Sequence, residues 1–288
     1  MTRNRHFFHL VDPSPWPVFL SLSLFLMTLG FIAWINYDLG YFVLFGFISL
    51  VFGFISWTRD VVREATFLGY HTTVVRRGLQ FGIFLFLISE ACFFLSFFWA
   101  FLHSSLSTAI QIGPFWPPLQ LRPALIDAFG IPLLNTVLLV TSGTAVTWAQ
   151  KSMLNKNFKE ADLGFFVTFF TAVLFVLLQV IEYLESGYTW ADGIYGSVFF
   201  IATGFHGLHV LVGTAYLFVH FCRYKLGHFT RKHMDGLHYA AWYWHFVDVV
   251  WLALFIIIYW WGNLYNQKQE AMQIANLLSS NYGVFITH

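Results

Sequence analysis

The stretch 78–105, G-L-Q-F-G-I-F-L-F-L-I-S-E-A-C-F-F-L-S-F-F-W-A-F-L-H-S-S, is apolar almost throughout and carries one carboxylate in its interior, Glu90. A helix of that length can cross a bilayer whose hydrocarbon core is about 30 Å thick. At about 1.5 Å of rise per residue, Glu90 falls roughly 18 Å along it, near mid-depth. An ionisable group at that depth is costly and is expected to face protein rather than lipid. It has two readings: a proton-exchanging or ligand-contacting carboxyl, or a neutral, hydrogen-bonded acid that only locks helices together. The residues by themselves leave both open.

Composition sets the class. Hydrophobic residues make up 58% of the chain, aromatic residues 21% and charged residues 10%, where a soluble domain carries about a quarter charged. This is a polytopic membrane protein of all-α class. A net charge of +1 without a basic low-complexity tail excludes a nucleic-acid partner. Cys92 and Cys222 both fall in apolar spans, so neither a disulfide framework nor a C-x-x-C centre is available, and both read as packing residues.

Seven apolar spans follow in order, at 16–35, 41–57, 78–105, 132–149, 163–184, 194–222 and 238–261. Trp16 and Trp34 bracket the first, about 27 Å apart as interfacial anchors. The second is expected to run on as helix into water through Arg59, Asp60, Arg63 and Glu64. The longest connection, 111–132, contains G-P-F-W-P-P and R-P, which disfavour a long helix. Thr141/Ala145 and Gly143/Thr147 in the fourth span are each four apart, a spacing that lets helices approach closely. Ahead of the first span there is no separate apolar segment with a cleavage site, so no removable signal peptide is expected. The membrane domain is read as 1–262 and a C-terminal extension as 263–288. Within the extension, Asn266 and Gln269 form a capping box, and Ala271, Ile274, Ala275 and Leu278 predict an amphipathic helix over 267–278. Its weakly charged polar face favours docking on a protein partner over the membrane surface.

Charge asymmetry orients the chain. Every lysine and arginine except Arg122 and Lys268 lies at the N-terminus or in the second, fourth and sixth loops. The positive-inside rule then puts the N-terminus in the cytoplasm or an organellar matrix and the C-terminus on the outer side.

His206, His209, His220 and His245 lie within apolar spans. His206 and His220 are 14 residues apart, close to four turns, as a haem-stacking pair would be. No second helix supplies a matching pair, His103 stands alone, and H-E-x-x-H is absent, so these read as core histidines and no metal site is expected. In W-Y-W-H-F-V-D-V-V-W, His245 and Asp248 sit on adjacent turns of one face, where Asp248 could accept an imidazole proton. This is a structural pair first and a proton-relay element second. Arg59 and Arg63, then His71, Arg76 and Arg77, then Arg223, Lys225 and His228 form basic clusters at the inner ends of spans. They read either as a groove for lipid phosphates or as ordinary positive-inside flanks.

Six runs carry a family resemblance: W-T-R-D-V-V-R-E-A-T-F-L-G-Y-H-T (57–72), L-I-S-E-A-C-F-F (87–94), F-F-W-A-F-L-H-S-S (97–105), I-P-L-L-N-T (131–136), A-T-G-F-H-G-L-H-V (202–210) and A-W-Y-W-H-F-V-D-V-V-W (241–251). Over about 12–262 the chain resembles subunit III of the haem-copper cytochrome c oxidases, particularly the mitochondrial form. The resemblance implies seven helices, with the first two splayed from the other five around a lipid-filled V-shaped cleft. It implies a core subunit of the terminal respiratory oxidase that binds no haem or copper, those cofactors residing in partner subunits. Such a subunit packs on subunit I, neighbours subunit II and accessory subunits, binds phospholipid and supports proton uptake and the durability of the catalytic subunit. The implied location is the mitochondrial inner membrane. By the same resemblance Glu90 matches a carbodiimide-reactive carboxyl, and Trp57, Arg59, Arg63, Glu64, His71, His209, Arg223 and His228 match lipid-contacting positions. Two departures stand out: His238 occupies a place where the family usually has glutamate, and the chain continues past Gly262. The competing reading from another class is an independent transporter or proton channel using Glu90, Asp248 and the histidines, for which no inverted repeat or matched helix break is found.

Overall fold

The computed structural model describes residues 7–108, 116–118, 121, 124–230 and 233–262. Among them are seven long helices: α1 (Trp16–Tyr37), α2 (Tyr41–Arg63), α3 (Thr73–Leu106), α4 (Ile131–Leu154), α5 (Phe158–Glu185), α6 (Ile194–Lys225) and α7 (Asp235–Leu254). All seven are long and apolar enough to cross a membrane. Two π-helical segments extend them, Glu64–Leu68 after α2 and Phe255–Trp261 after α7. Arg3, Arg5, Arg122, Arg231, Lys232, Lys268 and the whole expected 267–278 helix lie outside the described residues.

The helices coincide with the spans read from the sequence but overrun most of them. α3 begins at Thr73, so Arg76 and Arg77 belong to the helix and do not precede it. α7 begins at Asp235 and takes His238 into its first turns. Hydropathy marks only the part of a helix that sits in hydrocarbon, whereas backbone hydrogen bonding carries each helix on until a cap or a proline stops it.

The chain forms two compact units, one reaching to Gly82 and one from Ile83 onward. In the first, α1 ends where Asp38 adopts a left-handed conformation (φ 57°), and the chain turns back into α2. The hairpin closes on two glycines. A Cβ at Gly30 would lie 2.6 Å from the Val43 nitrogen, and one at Gly46 would lie 2.7 Å from the Met27 nitrogen, so the two backbones touch. Between helices in lipid there is no hydrophobic drive, and this close van der Waals approach supplies the adhesion. Where the start of α1 meets the end of α2, the Trp16 indole donates to Asp60 Oδ2 at 2.6 Å, and Arg59 pairs with Asp60 Oδ1 at 2.9 Å.

In the second unit α4 lies along α5, and α7 packs on both α4 and α6. Gly164 of α5 is seated against Ala145 and Ala149 of α4. The core is aromatic: Trp244 and Trp251 of α7 are fully buried, with Phe175 and Phe199. Each indole finds a hydroxyl on α4, Trp244 donating to Ser142 Oγ at 2.9 Å and Trp251 to Thr136 Oγ1 at 3.0 Å. Buried indoles need such partners, and these two set α7 in register with α4. Lys225, at the end of α6, pairs with Asp162 near the start of α5 at 2.6 Å.

Candidate functional site

α3 carries Glu90 and α6 carries His209, and the two side chains meet, with His209 Nε2 2.9 Å from Glu90 Oε2. The other ring nitrogen is committed: His209 Nδ1 lies 2.6 Å from the carbonyl oxygen of Phe205, one turn earlier on α6. A carbonyl only accepts, so Nδ1 carries a proton. Nε2 is then either an acceptor facing a carboxylic O–H, or the second N–H of an imidazolium facing a carboxylate. Both descriptions place one proton between Glu90 and His209 and differ only in which atom holds it. Rings wall the pair. Phe94 meets His209 edge-on with centroids 4.9 Å apart, and Phe93 and Tyr243 stack at 6.3 Å. With side chains 22% and 13% exposed, the pair is shielded but not sealed. The sequence separates these two residues into a buried carboxyl and a lipid contact; the fold makes them one unit.

The His245–Asp248 pair is built differently. Their closest atoms, His245 Nδ1 and Asp248 Oδ2, are 3.8 Å apart, beyond hydrogen-bond range. His245 Nε2 instead lies 3.1 Å from Thr147 Oγ1, whose hydroxyl donates to the Gly143 carbonyl at 3.1 Å. With its only hydrogen so used, Thr147 can only accept, which puts the ring proton on Nε2. The expected transfer of an imidazole proton to Asp248 is therefore replaced by a bond to α4. Asp248 is buried, and its Oδ1 has no hydrogen-bond partner among the described residues. Gly143 makes its room, because a Cβ there would run into Asp248 Oδ2. His206 and His220 are core histidines. His206 Nε2 donates to the Val247 carbonyl at 3.2 Å and its ring lies 5.2 Å from Trp251, while His220 Nδ1 donates to the Tyr216 carbonyl at 2.9 Å.

A third carboxyl lies near the end of α5, with no counterpart among the residues singled out from the sequence. Glu182 is 2% exposed. Its Oε1 accepts from the Tyr259 hydroxyl and, at 3.2 Å, from Gln179 Nε2. Glu182 Oε2, Gln179 Oε1, Tyr188 Oη and both amide atoms of Asn135 are buried without partners among the described residues. Burial pushes the Tyr188 phenol, in the loop after α5, far above its usual range. A carboxyl buried in this way is unusual for a domain core. The one signal for it in the sequence is Q-V-I-E, which sets Gln179 and Glu182 on one helix face.

The residues with expected lipid roles divide between the units. Trp57, Arg59, Arg63, Glu64 and His71 belong to the first, and His209, Arg223 and His228 to the second. Arg223 lies over the Phe229 ring at 4.9 Å and donates to His220 Nε2 at 3.3 Å. His238 folds onto its own helix, its Nδ1 donating to the Met234 carbonyl at 2.9 Å.

Compared with known proteins, the chain matches the family model described as cytochrome c oxidase subunit III over residues 6–263. It belongs to that family. The protein named cytochrome c oxidase subunit 3 of Patiria pectinifera is 51% identical over 260 residues, 90% of this chain and 99% of the relative. The proteins of the same name from Equus caballus and Dugong dugon are 47% and 49% identical over 263 residues, 91% of this chain and 100% of each relative. The matched residues take in all seven helices of this chain, Glu90 and His209 among them, and the match stops at residue 263, where the C-terminal extension begins.

Proposed function

We propose that the chain is a non-redox core subunit of a cytochrome c oxidase, the terminal respiratory enzyme that passes electrons from cytochrome c to O2 and pumps protons. Family membership over nearly the whole chain carries this reading. The chain contributes no redox centre; haem and copper belong to partner subunits. Its principal contact is subunit I, with subunit II and accessory subunits beyond. The membrane domain spans 1–262, with the 263–288 extension on the outer side. The membrane is the mitochondrial inner membrane, crossed seven times from a matrix N-terminus.

Two tasks fit the residues. The Glu90–His209 pair holds one proton in a ring-walled niche and can pass it between two atoms 2.9 Å apart without moving either helix, which suits a subunit that supports proton uptake. Arg59, Arg63, His71, Arg223 and His228 suit phospholipid headgroups. Purification of the native assembly, with identification of co-migrating chains and a visible spectrum, tests the assignment. The chain is expected to travel with haem-bearing partners and to add no absorbance of its own. Isolation as a stand-alone chain that conducts protons in vesicles would replace this reading with the channel one.

A further inference from the structure

Within the first unit, three side chains from separate segments converge: His9 from the chain ahead of α1, Glu64 from the π-helical turn, and His71 from the α2–α3 connection. Each offers one ligand atom, and these atoms all lie within 4.8 Å of one another. We propose that they form a zinc site that clamps the N-terminal segment to the α2–α3 connection.

The donor set is the first argument. Two imidazoles and one carboxylate suit zinc, whose sites are tetrahedral with N and O ligands at about 2.0–2.2 Å, and they do not suit the all-oxygen shells of calcium or magnesium. Zinc has no redox chemistry, so the site is compatible with a chain that carries no redox centre.

Geometry is the second. Ligand atoms on a tetrahedral zinc lie roughly 3.3 Å apart. His9 Nε2 and Glu64 Oε2 are already 3.7 Å apart, too far for a hydrogen bond and within about half an ångström of a shared metal. The rings of His9 and His71 meet edge-on with centroids at 5.8 Å, an orientation that lets both nitrogens approach one point without the rings colliding. Modest side-chain rotation closes the rest, and the fourth position stays open to water.

The third argument is that the scaffold already holds the ligands. Gly69 takes a left-handed conformation (φ 68°), and the Tyr70 amide returns to the Glu64 carbonyl at 3.2 Å. That turn folds the connection back over Glu64. The Thr72 hydroxyl donates to the Phe7 carbonyl, and the Tyr70 ring lies 5.2 Å from His9. Both ends of the clamp are pinned by contacts that do not involve the ligand atoms. The His9 and Glu64 side chains are 13% and 24% exposed, which excludes much competing solvent and leaves an entry path. No short sequence motif announces the site, because its ligands come from three places and only the fold collects them.

Zinc uptake by the purified native assembly tests the proposal, measured by elemental analysis after equilibration with free Zn²⁺ and desalting, in parallel with lipid phosphorus. Wild type is expected to hold one more zinc per assembly than His9→Gln, Glu64→Gln or His71→Gln, or to bind it at least tenfold more tightly. Bound zinc should also slow proteolysis ahead of α1 in wild type and not in His9→Gln. His9 precedes the first helix, so that variant keeps the test open if His71→Gln fails to assemble. Asp12→Asn removes an exposed charge from the same segment and should leave zinc uptake unchanged. Equal zinc in wild type and the ligand variants overturns the proposal, as does an equal loss in Asp12→Asn. Variants that shed lipid phosphorus while keeping their zinc also overturn it, and they leave Glu64 and His71 as lipid contacts only.

Discussion

Cutting Glu90 back to alanine leaves His209 Nε2 without its partner while Nδ1 stays on the Phe205 carbonyl. A hydrogen bond to a charged group contributes about 1.5–3 kcal/mol net, and a neutral one about 0.5–1.5 kcal/mol. Because the two side chains retain 22% and 13% exposure, water compensates part of the loss, so Glu90→Ala and His209→Ala should each cost about 1–2 kcal/mol. Glu90→Gln is the informative variant. Its amide can donate to Nε2 with the ring in the tautomer that Phe205 imposes, so its cost should stay below about 1 kcal/mol. The double alanine variant should cost less than the sum of the singles by about 1 kcal/mol, since the second truncation has no bond left to break. Detergent-driven unfolding of the subunit in mixed micelles, with all four variants measured together, gives the cycle. Additivity to within about 0.3 kcal/mol, or a glutamine as damaging as alanine, would falsify the shared-proton pair.

Three further outcomes are expected. Tyr259→Phe strips a donor from a carboxyl that is 2% exposed, and should cost about 1–3 kcal/mol in the same unfolding assay; a loss below a few tenths would mean that the bond is dispensable. Gly46→Leu should part α1 from α2, since even a Cβ there would lie 2.7 Å from the Met27 nitrogen; cysteine pairs placed across the crossing should lose their oxidative cross-link, and retained cross-linking would show that the backbones do not need to touch. Arg63→Ala together with Arg223→Ala should lower the phospholipid retained after detergent washing, each lost charge-assisted contact being worth about 1.5–3 kcal/mol; unchanged lipid phosphorus would count against both as headgroup contacts.

What could be read from the sequence follows the range of the forces involved. Bilayer crossing is decided by local hydropathy, so all seven helices were legible, and so was Glu90 as a lone acid in an apolar run. His209 was legible as a histidine in a span but not as the partner of Glu90, because pairing across α3 and α6 depends on how the helices pack. The His245–Asp248 spacing was legible and misleading: residues three apart do share a face, yet Thr147 from another helix takes the ring nitrogen that matters. Glu182 escaped notice because an acid beside Glu185 at the end of a span looks like a polar flank, and only packing by Tyr259 and Gln179 buries it. His9 was hidden for a related reason, since a histidine ahead of the first span carries no periodic signal.

The π-helical segment Phe255–Trp261 bears on that buried acid in a way that helix length does not. Each i→i+5 turn takes in about one residue more than an α turn, so side chains beyond it are set back by roughly 100° around the axis. An unbroken α pitch would carry Tyr259 about 80° away from Trp251; the set-back returns it to that face, and the two rings meet with centroids 5.8 Å apart. Up to Leu254 the ordinary pitch aims Trp244 and Trp251 at the hydroxyls of α4, and past it the altered pitch brings Tyr259 round to Glu182 of α5. One buried stripe thereby stays on α4 and α5 together, Trp251 itself meeting Thr136 and the Phe175 ring, and the segment works as a splice that carries the stripe onward without letting it drift off its neighbours.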